Sequence, residues 1–181
     1  MIVSAGNNEL FRYAKAIGVG LIDSAIGLSQ LCLFDRPDFI LFVGSAGSYG
    51  SKNIFDIVQS RSSSNIEHSF FKDKSYTPIN NTIKADNKLV KDETIVNSSN
   101  YITTNKDICD LYIQKNIGIE NMEFYAVMKV AQHFSIDVAG IFVVTNYCYE
   151  DAKEQFAKNH QKSKDILTTF LYQHNIITSC K

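Results

Sequence analysis

The sequence predicts a single α/β domain with a largely parallel central sheet. Residues 39–43 are continuously apolar, as strands are when helices cover both faces of their sheet, and residues 138–145 are predicted to form a second buried strand. Segments of helical length lie between and after these two runs. Strands that alternate with helices along a chain are typical of parallel α/β sheets. The 181 residues contain no internal repeat and no linker, so we expect one domain with one core.

The predicted elements follow one another in a regular order. Residues 1–5 form a short buried strand, residues 8–16 a short helix, and residues 21–34 a longer helix whose apolar stripe is expected to face the core. This stripe consists of Ile22, Ala25, Ile26, Ser29, Cys32 and Leu33. The buried strand at 39–43 comes next. The remaining elements are strands at 54–58 and 94–97, a helix at 106–114, the buried strand at 138–145 and a terminal helix at 151–172.

Residues 60–92 form the least regular stretch of the chain. They are rich in Ser, Asn, Lys and Asp, which indicates that they are too polar for the core. They are also too long for an ordinary connection between two elements. Two interpretations stay open, namely a functional loop or partly disordered flap, and a tolerated surface insertion.

Composition and charge exclude several classes of protein. A formal net charge of −1 provides no attraction for nucleic acid or for an anionic membrane, so we expect neither as a partner. The histidines and cysteines lack metal-ligand spacing, and we expect no metal. The cysteines, which are predicted to be reduced thiols, are Cys32, Cys109, Cys148 and Cys180. No signal peptide or membrane-spanning run is recognisable, which favours a cytoplasmic protein.

A glutamate in apolar surroundings is the first candidate for a functional site. If residues 119–134 are helical, Glu123 shares a face with apolar residues three and four positions apart. Those residues are Ala126, Val127, Val130, Ala131 and Phe134. Because an unpaired buried charge is costly, we expect a ligand hydroxyl or a buried donor beside this carboxylate. The alternative is a glutamate at a helix N-terminus, stabilised there by free backbone N–H groups.

Both buried strands end in glycine-rich or polar residues. Gly44-Ser45-Ala46-Gly47 follows the first strand, and Thr145-Asn146 ends the second. Ligands of open α/β sheets bind at the carboxyl ends of the strands. We therefore expect these two ends and the start of the Glu123 helix to converge on one pocket for a sugar and a base.

These segments resemble the purine nucleoside phosphorylase and methylthioadenosine/S-adenosylhomocysteine nucleosidase superfamily, which includes futalosine hydrolase. The likeness lies in the glycine turn at 16–20, the strand end at 37–47, the segment 96–102 and the Asn121-Met122-Glu123 turn, with Thr145-Asn146 at a later strand end. In order and spacing the likeness covers nearly the whole chain, which would be a shortened member of this superfamily. It implies a three-layer fold in which helices flank a mixed, largely parallel sheet.

The resemblance also implies a set of site residues. Glu123 would accept hydrogen bonds from the ribose hydroxyls, and Glu9 would activate water. Asn146 would face N7 of the purine, on which Tyr101 would stack. The remaining substrate-binding residues would be Met122 under the sugar, with Ser45, Ala46 and Gly47 beside the sugar and the nucleophile.

Two departures from the family pattern bear on the chemistry. Asn146 replaces the aspartate that protonates the leaving base, and an amide donates a hydrogen bond but no proton. The amide nitrogen of Asn146 can donate to N7 and O6 of a 6-oxopurine. A flipped amide would instead present its oxygen to the 6-amino group of adenine. Phe42 replaces an arginine that binds phosphate in the phosphorylases, which favours water as the nucleophile. Arginines of a neighbouring subunit that could substitute are Arg12, Arg36 and Arg61.

The predicted function is cleavage of the N-glycosidic bond of a purine nucleoside, by water or by phosphate, in cytoplasmic purine salvage. No cofactor is expected, with phosphate as a possible co-substrate. Because the family completes its pockets across subunit contacts, we expect a homodimer or a larger homo-oligomer. Two alternatives stay open, a weakly active relative that binds a nucleoside or base without turnover, and an unrelated α/β nucleotide-binding module.

Overall fold

The computed structural model describes residues 1–178, which form nine strands and four α-helices. The strands are β1 (Ile2–Ser4), β2 (Lys15–Ala16), β3 (Phe39–Ser48), β4 (Ile57–Ser60), β5 (Ser62–Ser64), β6 (Thr82–Lys84), β7 (Ile95–Asn97), β8 (Ile117–Glu120) and β9 (Asp137–Tyr147). The helices are α1 (Gly20–Asp35), α2 (Lys106–Ile113), α3 (Phe124–Phe134) and α4 (Ala152–Gln173). Two short 3₁₀ turns lie at Asn7–Glu9 and His68–Lys72.

Strands β3 and β9 form the centre of the sheet and pair in parallel over their full lengths. On the other side of β3, β1 pairs in parallel near its start and β8 pairs antiparallel at its end. Strand β4 adds to β9, while β7, β5 and β6 extend the sheet from β8. Five strand pairings are parallel and three are antiparallel. The sheet is therefore mixed and largely parallel, as predicted.

Helices cover both faces of the central strands, which explains why these strands read as continuous apolar runs. Ile40 and Phe42 pack in one core cluster with α1 and α3, whereas Leu41 and Val43 pack in a second cluster with Leu167 of α4. Successive side chains of a strand point to opposite faces. Every residue of this run therefore has a buried environment, and the predicted three-layer arrangement is confirmed.

The prediction of a helix at residues 8–16 is wrong. Only Asn7–Glu9 forms a single 3₁₀ turn, and the chain then runs through a turn into β2. The backbone of this segment bonds to the first strand instead, through Ile17 N to Ser4 O at 3.0 Å. Extended pairing with β1 therefore replaces helical hydrogen bonds in this segment.

The helix predicted at 21–34 is confirmed as α1, but only part of its predicted apolar stripe, including Cys32, is buried. Three members of that stripe, Ile22, Ile26 and Leu33, are 56–67% exposed. The buried face consists of Gly20, Ser24, Leu28 and Cys32. Small residues allow α1 to approach the preceding chain, and an added Cβ at Gly27 would meet Ile17 O at 2.1 Å. The buried face therefore combines close backbone approach with the packing of Leu28 and Cys32 in the core.

Residues 60–64 contradict the prediction that the stretch at 60–92 is too polar for the core. Four serines of this segment are buried, and each hydroxyl has a hydrogen-bond partner. The hydroxyl of Ser63 donates to Val96 O at 2.7 Å, and that of Ser64 donates to Asn97 Oδ1 at 2.9 Å. Polar side chains are stable in a core when they are hydrogen-bonded in this way. Strands β5 and β6 therefore belong to the sheet.

The other predicted elements differ from the structure mainly at their ends. The strand predicted at 54–58 lies at Ile57–Ser60, and the helix predicted from about 119 begins at Phe124. Residues 117–120 form β8, which was not predicted. No helix within residues 1–178 is long and apolar enough to cross a bilayer. Cys32, Cys109 and Cys148 are buried free thiols, and Cys180 lies outside the described residues.

Candidate active site

A cavity of about 270 Å³ lies at the ends of β3, β8 and β9. All eight predicted site residues line it, namely Glu9, Ser45, Ala46, Gly47, Tyr101, Met122, Glu123 and Asn146. No residue from 60–92 lines it, so this stretch forms no flap over the cavity. The two strand ends and the start of α3 therefore do meet, and the roles assigned to the eight residues remain predictions.

Glu123 lies at the N-cap position of α3 with only 3% of its surface exposed. Its side chain does not cap its own helix. Instead, Oε1 accepts a hydrogen bond of 2.8 Å from Gly20 N, the first amide of α1. The caps of α3 come from Asn121, whose Oδ1 accepts from Glu123 N and Phe124 N. The buried donor expected beside Glu123 is thus a backbone amide at the start of another helix.

The ionisation of Glu123 is shifted towards neutral pH. Burial, and after it the neighbouring Glu9 carboxylate, raises the pKa of Glu123 to about 7, although the Gly20 amide acts in the opposite direction. The shift has a simple cause, since low-dielectric surroundings disfavour the charged form and like charges oppose each other. Glu123 can therefore gain or lose its proton near physiological pH.

Glu9 reaches the same cavity from the short turn at Asn7–Glu9. Its Oε1 accepts hydrogen bonds from Ser45 N at 2.8 Å and from the Ser45 hydroxyl. Burial raises the pKa of Glu9, although both bonds from Ser45 oppose the shift. The turn is fixed from α4, because His160 and Lys164 contact the carbonyl oxygen of Asn8. The carboxyl of Glu9 is therefore rigidly placed beside the end of β3.

Asn146 owes its orientation to an irregularity in β9. Ala46 pairs with Val144 but Gly47 pairs with Asn146, so β9 carries one extra residue, Thr145, at this point. Such a bulge redirects the following side chain. The amide of Asn146 is held at both ends, since Oδ1 accepts from the Thr145 hydroxyl at 2.7 Å and Nδ2 donates to Tyr147 O at 3.0 Å. One N–H of this amide remains available to a ligand.

Met122 and Tyr101 lie on the cavity wall in different settings. Met122 is half-buried beside the start of α3, whereas Tyr101 is 83% exposed at the edge of the cavity. The exposed ring leaves one aromatic face free for a planar ligand.

Sequence reasoning missed a third carboxyl on the wall. Glu120 ends β8, is 9% exposed and lines the cavity. Its Oε1 accepts from Thr103 N at 2.9 Å, and its Oε2 accepts from the hydroxyls of Thr103 and Tyr49 at 2.7 and 2.9 Å. The alternation in Ile117-Gly118-Ile119-Glu120 is a strand signal that could have identified β8 and its terminal glutamate.

The cavity wall, within the residues that the structure describes, contains no lysine, arginine or histidine. Phe42, at the position of the family arginine, is completely buried in the core. The guanidinium of Arg61 donates to the carbonyl oxygens of Ala85 and Asn87, so it is already engaged. Among residues 1–178 there is also no cluster of three side chains able to hold a metal ion. Within the described residues, the acidic side chains of the cavity are therefore three carboxyls, and no basic side chain faces them on the wall.

The fold is that of the nucleoside phosphorylases and nucleosidases, and the cavity lies at the strand ends of this fold. The sequence matches no protein-family model and no curated protein. Its structure, however, is similar to solved nucleosidases at 15–18% identity, a level at which the likeness shows the fold.

Three Helicobacter pylori structures illustrate the similarity. Native futalosine hydrolase has a TM-score of 0.79 and 16% identity over 94% of each chain. Methylthioadenosine/S-adenosylhomocysteine nucleosidase with butylthio-DADMe-Immucillin-A has a TM-score of 0.79 and 15% identity over 95% of each chain. An Asp-to-Asn mutant of that nucleosidase, with methylthioadenosine in its active site, has a TM-score of 0.76 and 18% identity, over 88% of this chain and 78% of the mutant.

Glu123→Gln is expected to stabilise the ligand-free protein above pH 7. Because the pKa of Glu123 is raised from 4.5 to about 7, the unfolded chain releases this proton first, and the free energy of unfolding falls as pH rises through that window. A neutral glutamine avoids a loss that reaches about 3 kcal/mol. Denaturant unfolding at pH 4.5 and pH 8 measures the difference.

The exposed Glu154 of α4 provides a control, and Glu154→Gln should show no comparable pH-dependent gain. If Glu123→Gln destabilised the protein equally at both pH values, the buried carboxyl would not titrate between them.

Proposed function

We propose that this protein is a nucleosidase that hydrolyses the N-glycosidic bond of a purine nucleoside, with a 6-oxopurine base favoured. The proposal depends on two buried carboxyls, Glu9 and Glu123, on one cavity wall at the strand ends of a nucleosidase fold. Hydrolysis of a glycosidic bond passes through a sugar with oxocarbenium-like positive charge. Carboxylates in a dry cavity stabilise that charge strongly because the local dielectric constant is low.

Glu123 is suited to bind the sugar. The Gly20 amide fixes Oε1 of the carboxylate, so its position does not depend on a ligand. Ribose hydroxyls would donate to the ionised form, and hydrogen bonds to a charged acceptor are the stronger kind. Such donation also favours ionisation, so sugar binding would release the proton from Glu123 near pH 7. Met122, beside it on the wall, would pack beneath the sugar.

Glu9 is suited to activate water. A general base is most effective when its pKa lies near the working pH, and burial moves the pKa of Glu9 in that direction. The two hydrogen bonds from Ser45 hold the carboxyl in place. Glu9 would accept a proton from the water molecule that attacks the sugar carbon.

The charges on the cavity wall favour water over phosphate as the nucleophile. A phosphate anion would enter a cavity that contains three carboxyls, without an arginine or lysine of the described chain to bind it. Planar guanidinium groups are the usual partners of bound phosphate, and their replacement is difficult. Neutral water meets no such repulsion.

Asn146 and Tyr101 would bind the base. The free N–H of the Asn146 amide can donate to the N7 and O6 side of a 6-oxopurine, and the Tyr101 ring can stack on the purine. Two of the structurally similar nucleosidases are complexes with methylthioadenosine and butylthio-DADMe-Immucillin-A, which supports a nucleoside-type ligand here.

Binding without turnover is the second candidate function, and Asn146 is the observation that favours it. An amide cannot protonate the departing base as a carboxylic acid can. The other features of the cavity are the same for a binding protein and for an enzyme, so only an activity measurement distinguishes them.

Incubation with inosine, guanosine, adenosine, methylthioadenosine and futalosine, with and without phosphate, tests the proposal. We expect free base to be released from a 6-oxopurine nucleoside at the same rate in both conditions. Release that requires phosphate would identify a phosphorylase. Binding in calorimetry without any release would support the second candidate.

Glu123→Gln is expected to abolish nucleoside binding or turnover while the fold is kept. The amide preserves the shape of the side chain and can still accept from Gly20, but it lacks the charge that binds the ribose hydroxyls. Isothermal titration with inosine, together with steady-state kinetics, provides the measurement. Glu154→Gln is the matched control, and unchanged affinity in Glu123→Gln would remove Glu123 from the sugar site.

Asn146→Asp is expected to shift the base preference from 6-oxopurines towards adenine. The introduced carboxyl lies against Tyr147 O, which favours its protonated form and so supplies a proton donor. One mismatched buried hydrogen bond costs about 1–3 kcal/mol, so the ratio of kcat/KM for inosine and adenosine should change roughly tenfold or more. Equal rates of wild type on both nucleosides would mean that Asn146 does not read the base.

Assembly into a homodimer or larger oligomer is expected from the outer face of α1. Ile22, Ile26, Leu33 and Phe34 are 56–85% exposed there, and they form an apolar stripe that a second copy would cover. Light scattering should give at least twice the chain mass of 20.4 kDa, and Ile26→Lys should lower it to the monomer value. A wild-type monomer at micromolar concentration would contradict this expectation.

A further inference from the structure

The segment that carries Tyr101 is fixed at both ends by buried residues. Ser98 is completely buried, and its hydroxyl oxygen accepts a hydrogen bond of 3.0 Å from Tyr125 N at the start of α3. Thr103 is 1% exposed, and its amide and its hydroxyl both donate to the carboxylate at the end of β8. Residues 99–102 therefore form a short loop between two fixed points, and we call it the Tyr101 loop.

The Tyr101 loop contributes three residues to the cavity wall, although most of its surface is exposed. Ser99, Tyr101 and Ile102 line the cavity, and Tyr101 and Ile102 are 83% and 58% exposed. Within the loop, Tyr101 N donates to the Ser99 hydroxyl oxygen at 3.1 Å. Because an exposed ring is not held by core packing, the position of Tyr101 depends on the contacts that fix the loop backbone.

Asn100 attaches the Tyr101 loop to helix α1. Its Oδ1 accepts a hydrogen bond of 2.9 Å from Leu21 N. Amides in the first turn of a helix have no partner within that helix, and the N-cap residue of α1, Val19, supplies no side-chain cap. Asn100 therefore caps α1 from outside the helix, and the same hydrogen bond ties the loop to α1.

Gly20 makes room for this contact. Its φ of 81° lies in the left-handed region, and an added Cβ would lie 2.8 Å from Asn100 Oδ1. The amide of Gly20 donates to Glu123 Oε1 at 2.8 Å, and the next amide, that of Leu21, donates to Asn100. Two consecutive amides of α1 thus hold the carboxylate of the proposed sugar site and the loop of the proposed base site.

From these contacts we infer that Asn100 is a positioning residue, which holds the Tyr101 ring in register with Glu123. The inference rests on the proposed function, in which Tyr101 stacks on the base and Glu123 binds the sugar. Within the described residues, the cavity wall includes Tyr101 but not Asn100, so Asn100 acts through Tyr101. Because one bond joins the base to the sugar, a shift of the loop relative to α1 would weaken the fit of the whole nucleoside.

Asn100→Ala is expected to raise the dissociation constant of formycin B about fivefold or more, the factor that corresponds to loss of a side-chain cap. Formycin B is an inosine analogue with a carbon–carbon glycosidic bond, so it is not hydrolysed during isothermal titration. Asn100→Asp should keep the wild-type affinity within about twofold, because a carboxylate also accepts from Leu21 N and is favoured at a helix N-terminus.

Asn105 provides the matched control. It is an exposed asparagine whose Oδ1 caps α2 by accepting from Ile108 N at 3.1 Å. Asn105→Ala removes the same type of hydrogen bond from another helix, so it should lower the stability while the affinity for formycin B stays within about twofold. Equal losses of affinity in Asn100→Ala and Asn105→Ala would show a general effect of stability and overturn the inference.

A fluorescence measurement on the ligand-free protein tests the same inference without a nucleoside. The chain contains no tryptophan, so Tyr101→Trp introduces a single indole fluorophore into the loop. The anisotropy of its emission should fall when Asn100→Ala is added, because a released loop moves on a faster timescale, and Asn100→Asp should restore it. Unchanged anisotropy in the Asn100→Ala protein would mean that the hydrogen bond to Leu21 does not hold the loop, and would overturn the inference.

The two experiments separate this inference from the proposed function. If the wild type binds formycin B and Asn100→Ala binds it equally well, the inference is wrong and the nucleosidase proposal stands. If the wild type neither binds formycin B nor releases base from any nucleoside, the nucleosidase proposal is wrong, and the role of Asn100 in nucleoside binding is wrong with it.

Discussion

Three carboxyl groups share one cavity wall, and within the described residues this wall contains no lysine, arginine or histidine. An isolated buried charge costs several kcal/mol, so each carboxyl must be stabilised by hydrogen-bond donors or by cations behind the wall, or hold its proton. His160 and Lys164 of α4 stabilise the Glu9 carboxylate from behind the wall. Glu123 uses the first amide of α1, Glu9 uses Ser45, and Glu120 uses Thr103 and Tyr49. The raised pKa values show that this compensation is partial. Under the proposed function, a positively charged sugar in the transition state would complete this compensation.

Glycines at the end of β3 make room for this concentration of carboxyls. An added Cβ at Gly44 would lie 2.8 Å from Glu9 Oε2, and one at Gly47 would lie 2.6 Å from Cys148 Sγ and 3.5 Å from Glu120 Cγ. Both positions lie in a strand that pairs with β9 over its full length, so the floor of the cavity is rigid. The strand pairing therefore fixes the position of the cavity floor, while the absence of side chains at the two glycines leaves space for their neighbours. A larger residue at Gly44 would first meet the Glu9 carboxyl, whereas one at Gly47 would first meet the buried Cys148 thiol.

The sequence was informative where one local pattern decides the structure. The apolar runs at 39–43 and 138–145 predicted the central strands, and the isolated charge of Glu123 predicted a buried carboxyl with a donor. It was uninformative where long-range pairing decides. The extra residue at Thr145, which aims Asn146, has no signature in one strand alone. The alternation at 117–120 indicates a strand that ends at Glu120, but it cannot reveal the partners of this carboxyl, because they come from segments far apart in the chain.

Helix α1 obtains its N-terminal caps from segments that follow much later in the chain. Its own N-cap residue, Val19, has no side-chain cap, and the amides of Gly20 and Leu21 bond to side chains 103 and 79 residues further on, Glu123 and Asn100. During synthesis, α1 therefore emerges long before its caps exist. Contacts of such separation form late, since a long loop must close first. A nascent chain that ends before these residues would therefore contain neither a capped α1 nor a complete cavity wall.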